Sequence, residues 1–269
     1  MHSLFALFVM LISSLAAGEK IIFKLGGKEV KSFDTNDLGR QAVPTKVFEH
    51  LSETEVTYQA VPFGELIESV YGPKWREAGE ELLFTCVDGY QPSIPLSVFK
   101  TNRSFLALAK AGEEFQIEKS EDKKIISLGP TYLIWENLKN REIREKAGSI
   151  WPYQLVAVDL IRFKDRFGKM APHENAPMAA KEGFLVFREK CLSCHKMNGE
   201  GAPTGIDLNQ PVPKIHMYST KWFAKWIMEP KTLRPDTTMP GLLSADPNAA
   251  KHIKPLLKYL ESMAQPTTN

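Results

Sequence analysis

Two cysteines and a histidine stand within five consecutive residues of the 269-residue chain. Cys191 and Cys194 are three positions apart and His195 follows directly, which gives the pattern C-x-x-C-H. Side chains at i and i+3 share one face of a helical turn, so both thiols can reach the two vinyl groups of one haem. The pattern is typical of c-type haem attachment. We expect Cys191 and Cys194 to form thioether bonds to one haem c and His195 to bind its iron.

Two other kinds of site could use the same residues. A structural zinc site needs four ligands, and Cys86 is the only other cysteine of the chain. A thioredoxin-like redox pair is expected in a strand–helix–strand unit, whereas a helical pattern precedes Cys191. Three cysteines also do not suit a disulfide framework, because the number is odd. Chance would supply about 0.0007 such motifs in a chain of this composition, so haem attachment is the favoured interpretation.

Three amphipathic helices are expected around the motif. One runs from about Ala180 into Cys191. A second begins at the N-cap candidate Ser219 and ends at Pro230. A third begins after Asp246, with a proline at its first position. Its apolar stripe consists of Ala249, Ile253, Leu256, Leu260 and Met263.

A second axial ligand is expected on the opposite side of the haem. Met239 lies in the segment LRPDTTMPGLL, and Pro240 restricts its backbone to an extended conformation. A methionine that only fills the core is unusual in such a stiff loop. We therefore predict that Met239 is the second ligand, with His216 as the alternative. The other histidines and methionines C-terminal to His195 are Met197, Met217, Met228, His252 and Met263.

Residues 178–265 resemble a class I cytochrome c domain. The resemblance is carried by GFLVF in the helix before the motif, by C-x-x-C-H, and by the later segments GIDL, TTMPG and YL. It implies an all-α cytochrome c fold for this region. It also implies covalent haem on Cys191 and Cys194, with His195 and Met239 as axial ligands.

One residue departs from the pattern of that family. Ile206 stands where the family often has a proline, whose carbonyl accepts a hydrogen bond from the axial histidine. The carbonyl of Ile206 could accept the same hydrogen bond from the axial histidine. The replacement of proline is therefore expected to change the stiffness of the loop and not the binding of the iron.

The N-terminal half mixes strand and helix patterns. KIIFKL, VTYQAV, ELLFTCVD and LVAVDLIRF are rich in β-branched and aromatic residues, which predicts strands. Helices are predicted at residues 63–70 and 103–111. The half is therefore expected to be an α+β domain without internal repeats.

Residues 50–163 resemble the molybdopterin-binding domain of the sulfite oxidase family. The resemblance is carried by VPFGELIESVYG, FTCVDGYQPSIPLSVF, LALAKAGEEF, ISLGPTYLIWEN and WPYQLVAVDLIRF. That family holds molybdenum through a cysteine N-terminal to the Val-Pro helix, and this chain has none there. Cys86 lies after that helix and is expected to be a small buried residue. Residues 41–75 also contain no arginine, so bound molybdopterin is not expected.

The N-terminus resembles a secretory signal. Residues 4–15, LFALFVMLISSL, form a short apolar run followed by small residues, with possible cleavage sites at 14–16 or 16–18. No lysine or arginine precedes the run, and the alternatives are a buried strand or an uncleaved anchor. We expect export to the periplasm, and no stretch reaches the length of about 20 apolar residues that a membrane-spanning helix of the mature chain needs.

The charge of the chain bears on its partners. The formal net charge of +2 gives no reason to expect a nucleic-acid partner. Residues 173–269 hold 12 Lys and Arg against 9 Asp and Glu, which allows steering toward an acidic protein. The expected organisation is a signal peptide at 1–18, the α+β domain at 19–165, a linker at 166–177 and the cytochrome c domain at 178–269.

These features predict a periplasmic electron carrier with one haem and no catalytic residues. Its partners would be redox proteins, and the N-terminal domain would serve for docking or as a scaffold. The alternative is a molybdenum-dependent enzyme, similar to a sulfite dehydrogenase, that passes electrons to its own haem. A haem-based redox sensor would need an effector domain, and none is recognised.

Overall fold

The computed structural model describes residues 19–145 and 150–264, and the predicted signal peptide lies outside them. Within these ranges the strands alternate with helices along most of the chain. The strands are β1 (Lys20–Leu25), β2 (Lys28–Asp34), β3 (Val43–Glu49), β4 (Thr54–Pro62), β5 (Glu81–Cys86), β6 (Ser93–Pro95), β7 (Ser104–Lys110), β8 (Gln116–Glu118), β9 (Ile125–Ser127), β10 (Tyr132–Trp135), β11 (Leu155–Ile161), β12 (Lys196–Met197) and β13 (Glu200–Gly201).

The two longest helices of the described chain have 13 and 16 residues and lie in its C-terminal part. The helices are α1 (Thr35–Gly39), α2 (Phe63–Tyr71), α3 (Trp75–Ala78), α4 (Leu96–Thr101), α5 (Arg141–Glu145), α6 (Phe163–Phe167), α7 (Met178–Lys190), α8 (Thr220–Met228), α9 (Pro230–Leu233), α10 (Leu242–Ala245) and α11 (Ala249–Ala264), with 3₁₀ turns at Gly168–Met170 and Lys214–His216. In the described part of the chain, no helix is both long and apolar enough to cross a membrane.

Two sheets form the framework of the N-terminal region. The five-stranded sheet has the order β2-β1-β11-β5-β6, and only the β1–β11 pairing is parallel. The four-stranded sheet has the order β10-β7-β4-β3 and is antiparallel throughout. Both sheets contribute to one apolar core, which includes the fully buried rings of Trp75, Trp135 and Tyr132. Burial of such large aromatic side chains supplies much of the energy that holds two sheets together.

The predicted C-terminal all-α cytochrome c fold is wrong. The chain is mixed α/β, and its C-terminal part contains the antiparallel pair β12–β13 directly after the motif. The apolar core of this part is also not its own, because Leu83 of β5 and Ile161 of β11 belong to it. The helices therefore pack against the five-stranded sheet.

Several local predictions agree with the structure and one does not. The four predicted strands correspond to β1, β4, β5 and β11, and the helix predicted at 63–70 corresponds to α2. The helix predicted at 103–111 is wrong, since Ser104–Lys110 is strand β7. Its leucines and alanines favour a helix, but pairing with β10 and β4 and burial of the first four residues override that preference.

The helices α7 and α11 cross at very short distance in the C-terminal region. A Cβ on Gly183 would lie 1.9 Å from the carbonyl oxygen of Pro255 and 2.8 Å from Cβ of Tyr259. Only glycine allows the two backbones to approach so closely. The crossing fixes the direction of α7, and thus the place where the motif begins.

Candidate functional site

The motif forms a single tight turn at the end of α7. Cys191 is the C-cap of that helix, and its carbonyl oxygen accepts hydrogen bonds from the backbone amides of Cys194, at 3.1 Å, and His195, at 2.9 Å. The helix thus continues as one further turn that carries all three side chains. This is the local geometry that the C-x-x-C-H spacing predicts.

An apolar cavity of about 530 Å³ lies beside this turn. It brings together three of the four predicted site residues, Cys191, His195 and Met239, although Met239 is 44 positions further along the chain. The sulfur of Cys194 is not part of the wall. The remaining wall residues are Phe187, Ile206, Leu208, Lys214, Met217, Tyr218, Trp222, Phe223, Trp226, Ile227, Leu233, Arg234, Leu256 and Leu260.

The imidazole of His195 is held in one orientation. Its Nδ1 lies 2.9 Å from the carbonyl oxygen of Ile206. A carbonyl oxygen can only accept, so Nδ1 carries the proton and Nε2 is left with a free lone pair. Burial lowers the pKa of His195, although the hydrogen bond to Ile206 opposes that shift. The neutral ring with a free Nε2 is the form that binds a metal.

Gly205 leaves the space in which the ring of His195 lies. A Cβ on Gly205 would be 2.7 Å from Nδ1 of His195 and 2.9 Å from the carbonyl oxygen of Cys194. The Gly205 amide also donates a hydrogen bond of 2.6 Å to that oxygen. The GIDL segment therefore stabilises the turn through the Gly205 amide and orients His195 through the Ile206 carbonyl. A hydrogen bond from the histidine to the Ile206 carbonyl is the contact that the sequence predicts.

Both cysteines are free thiols. Burial raises the pKa of Cys191 to about 12. Burial also raises the pKa of Cys194, and the nearby carboxylate of Asp88 adds to the effect. Neither side chain is stabilised as a thiolate, unlike the nucleophilic cysteines of redox enzymes.

The loop that carries Met239 is held by a hydrogen bond within the loop and by contact with the end of α8. The amide of Met239 donates to the hydroxyl of Thr237 at 3.2 Å. A Cβ on Gly241 would lie 2.5 Å from the carbonyl oxygen of Met228, so the loop lies directly on the end of α8. The cavity wall contains a second thioether, Met217, which sequence reasoning did not single out. The alternative ligand His216 is exposed and is not in the wall.

Three stacked aromatic rings line one side of the cavity. The ring centres of Tyr218 and Trp222 are 4.2 Å apart, and those of Trp222 and Trp226 are 5.7 Å apart with planes only 5° from parallel. Ser219 caps α8 as predicted, since its hydroxyl accepts from the Trp222 amide at 3.3 Å. The shared face of Trp222 and Trp226 could be predicted, but Tyr218 could not because it precedes the helix.

The turn between β5 and β6 contacts the motif directly. The backbone amide of Gln91 donates a hydrogen bond to the carbonyl oxygen of Ser193 at 2.8 Å. The hydroxyl of Thr204 lies 3.5 Å from the carbonyl oxygen of Asp88. Gly89 has φ +87°, and a Cβ there would lie 3.0 Å from Pro203. Nothing in the local sequence of this turn specifies a partner about 100 residues away, so its contact with the motif could not be predicted.

Cys86 lies apart from the cavity wall. It ends β5, is 5% exposed and belongs to the apolar core, as predicted for a small buried residue. Burial raises the pKa of Cys86 to about 12, and the Asp88 carboxylate contributes to the shift. Among residues 19–145 and 150–264, no group of three or more His, Cys, Asp or Glu is placed to hold a metal ion.

No protein-family model matches this chain, and no curated protein matches it significantly. The interpretation of the site therefore depends on its geometry and on the chemistry of its residues.

The cavity suits a haem in its chemistry. Its wall is mainly aliphatic and aromatic, which favours a flat apolar macrocycle. One thiol of the motif and an imidazole with a free Nε2 belong to the wall, and thioethers are present at Met239 and Met217. These residues could hold a haem through a covalent bond to the thiol and through bonds from the imidazole and a thioether to the iron.

Proposed function

We propose that the protein is a c-type cytochrome that carries one covalent haem and transfers single electrons between redox proteins. Cys191 and Cys194 would provide the thioether bonds, and His195 and Met239 the axial ligands. The observation that supports the proposal best is the shared cavity. It joins Cys191 to Met239 across an apolar space and includes a histidine whose Nε2 is free.

The haem would supply an iron that alternates between the ferrous and ferric states. The chain's own residues have two tasks, orientation and exclusion of water. Ile206 holds the Nδ1 proton of His195, so that the ring keeps its tautomer when the charge of the site changes. Apolar residues such as Phe187 and Leu256 exclude water, and low polarity around a metal tunes its redox potential.

A scaffold role is proposed for the N-terminal region. The β5–β6 turn forms a backbone hydrogen bond to Ser193, in the middle of the motif. Leu83 and Ile161 of the five-stranded sheet pack into the core of the helices. The sheet would thereby hold the attachment turn in place. We further propose that the protein is located in the periplasm, where haem is attached covalently and where redox partner proteins are expected.

The proposal is tested on the full chain purified from a periplasm. Mass spectrometry should show one haem added to the peptide that contains residues 191–195, and metal analysis should give one iron and no molybdenum per chain. Cys191→Ala together with Cys194→Ala should remove the covalent adduct. A chain without covalent haem, or with stoichiometric molybdenum, would contradict the proposal.

The matched control is Cys86→Ala. Cys86 has the same residue type but lies outside the cavity wall. Its replacement should leave the haem content and the redox spectrum unchanged. A loss of covalent haem in this variant would show that attachment depends on general folding of the chain and not on the motif.

A further inference from the structure

A second cavity, of about 280 Å³, lies in the N-terminal region. The first turn of α2, the helix α3 and the connection between α4 and β7 surround it. It shares no wall residue with the apolar cavity at the motif. Unlike that cavity, its wall is rich in polar and charged side chains.

The charges around this cavity are mainly positive. Arg76, Lys100 and Arg103 line it, against the single carboxylate of Glu65. Arg103 also has the exposed carboxylate of Glu136 at 3.9 Å, a distance at which an exposed pair contributes little. A concave surface with excess positive charge concentrates anions.

Arg76 is the least exposed of these three cations. Its guanidinium is partly buried over the ring of Trp75, at 4.2 Å from the ring centre. Among the described residues it has no ion pair and no hydrogen bond, and its buried Nε is without a partner. A charge withdrawn from water is costly unless an opposite charge or an acceptor meets it. A bound anion would supply the acceptor that the buried Nε lacks.

The groups opposite Arg76 are also donors. An NH₂ group of Arg76 lies 4.0 Å from the Cβ position of Gly64, in the first turn of α2. The residue before that helix, Pro62, provides no side-chain cap, so the first-turn amides remain available. Trp75 is fully buried and lines the cavity, and its indole N–H has no acceptor among the residues that the structure describes. Two buried donors of the wall residues, Nε of Arg76 and Nε1 of Trp75, thus lack an acceptor.

We propose that this cavity binds a small tetrahedral oxyanion, a phosphate or sulfate group, with Arg76 as its main contact. The planar guanidinium can donate two parallel hydrogen bonds to such a group. The first-turn amides of α2 add donors and the positive end of the helix dipole. The oxyanion is either a free ion or the terminal group of a larger molecule. The proposal does not depend on the haem.

Isothermal titration of the full haem-containing chain with inorganic phosphate, and separately with sulfate, tests the proposal at constant ionic strength. One saturable site is expected, with a Kd of about 1 mM or below. Arg76→Met should weaken binding at least about tenfold. Arg76→Lys should recover only part of the affinity, because lysine restores the charge but not the planar guanidinium that donates two parallel hydrogen bonds. Arg40→Met is the control, since Arg40 is exposed and pairs with Asp37 outside the cavity.

Glycerol phosphate distinguishes the two sources of the oxyanion. Tighter binding than inorganic phosphate would identify the terminal group of a larger molecule, whereas weaker binding would identify a free ion. Absence of saturable binding by all three probes would overturn the proposal, as would unchanged affinity in folded Arg76→Met. If Arg76→Met does not fold, Arg103→Met replaces it, with a weaker expected loss of about threefold.

Discussion

Arg188, on the helix that leads into the motif, forms an ion pair with Glu81, on an inner strand of the five-stranded sheet. The side chain of Glu81 is only 8% exposed and also accepts a hydrogen bond from the hydroxyl of Ser93. The guanidinium of Arg188 also lies 3.7 Å from the centre of the Phe163 ring, at the start of α6, so a cation–π contact adds to the ion pair. The pair therefore connects the position of α7 to that of β5.

Replacing Arg188 by methionine should lower the free energy of unfolding by about 3 kcal/mol, because Glu81 would remain buried without its cation. The double variant Arg188→Met, Glu81→Gln should recover part of that loss, since no charge is then left unpaired. Denaturant unfolding of the two single variants and the double variant measures the coupling.

The comparison for this prediction is an exposed ion pair. The side chains of Arg40 and Asp37 are 78% and 62% exposed, and Arg40→Met should cost at most about 0.5 kcal/mol. Equal losses in Arg188→Met and Arg40→Met would contradict a structural role for the Glu81 pair.

Elements whose signals are local could be predicted. Ser219 precedes its helix by one residue, and the motif residues Cys191 and His195 share one turn, so spacing alone defines both. Met239 is far from the motif in sequence, and its proline-flanked loop is the local signal that predicts a position in the site; the residue lies in the cavity wall. The wall position of Met217 could not be predicted, because nothing in its neighbourhood distinguishes it from an ordinary core methionine.

Features that depend on long-range packing could not be predicted. The preference of β7 for a helix is overridden by its neighbours β4 and β10, which are distant in sequence. The segment predicted as a linker contains Phe167 and Met170, both almost completely buried in the core that α7 and α11 share with the sheet. Three helical patterns and the resemblance to cytochrome c predict an all-α C-terminal domain. The strand residues that complete its core, Leu83 and Ile161, lie in the other half of the chain, where no local signal connects them to it.

Replacing Gly205 by alanine should disturb the orientation of His195. The added Cβ would lie 2.7 Å from Nδ1, so the ring or the loop must move. We expect a lower free energy of unfolding, by about 1–3 kcal/mol, and a smaller low-spin fraction in the absorption spectrum. Covalent attachment should remain, since the cysteines are unchanged.

The control is Gly168→Ala. A Cβ on Gly168 meets nothing within 4 Å, and its φ of −61° suits any residue. Its spectrum should match that of the unaltered protein. If Gly205→Ala has the same spectrum as Gly168→Ala, the GIDL segment does not position His195.

Replacing Met239 by alanine should leave the haem attached and lower its redox potential. A thioether ligand raises the potential relative to a second imidazole or water, and the change should be on the order of 0.1 V. The free coordination position should also bind carbon monoxide in the ferrous protein. Potentiometric titration and the spectrum with carbon monoxide measure both effects.

Two matched variants identify the ligand. Met217→Ala removes the other thioether of the cavity wall, and His216→Ala removes the exposed imidazole beside it. Neither should change the potential by more than a small fraction of the Met239→Ala effect. A large fall in Met217→Ala, with none in Met239→Ala, would transfer the axial role to Met217.

A buried carboxylate in the N-terminal region should make stability depend on pH. Glu49 is fully buried and accepts hydrogen bonds from the hydroxyls of Tyr58, at 2.9 Å, and Tyr132, at 3.0 Å. Burial acts to raise the pKa of Glu49. The interaction with His50 and the hydrogen bonds from the Leu51 amide and Tyr58 outweigh burial, and they hold the pKa below 4.5.

The sign of the effect follows from proton binding. Between the lowered folded pKa of Glu49 and 4.5, the unfolded chain binds more protons than the folded one, so stability falls as the pH falls. Glu49→Gln removes this titration and should cost about 1–3 kcal/mol at pH 7, because a neutral amide satisfies the hydroxyl donors less well. The difference between the two proteins should shrink as the pH falls from about 5 to about 3. Denaturant unfolding across this range measures it.

Glu55→Gln is the control for this last prediction. Glu55 is 53% exposed and pairs with Lys46 on the surface, so its replacement should cost at most about 0.5 kcal/mol at any pH. The remaining carboxylates are common to the unaltered protein, Glu49→Gln and Glu55→Gln, so their contributions cancel when the stabilities are compared. A Glu49→Gln difference that stays constant from about pH 7 to about pH 3 would mean that the carboxylate contributes through its shape and hydrogen bonds, and not through its charge.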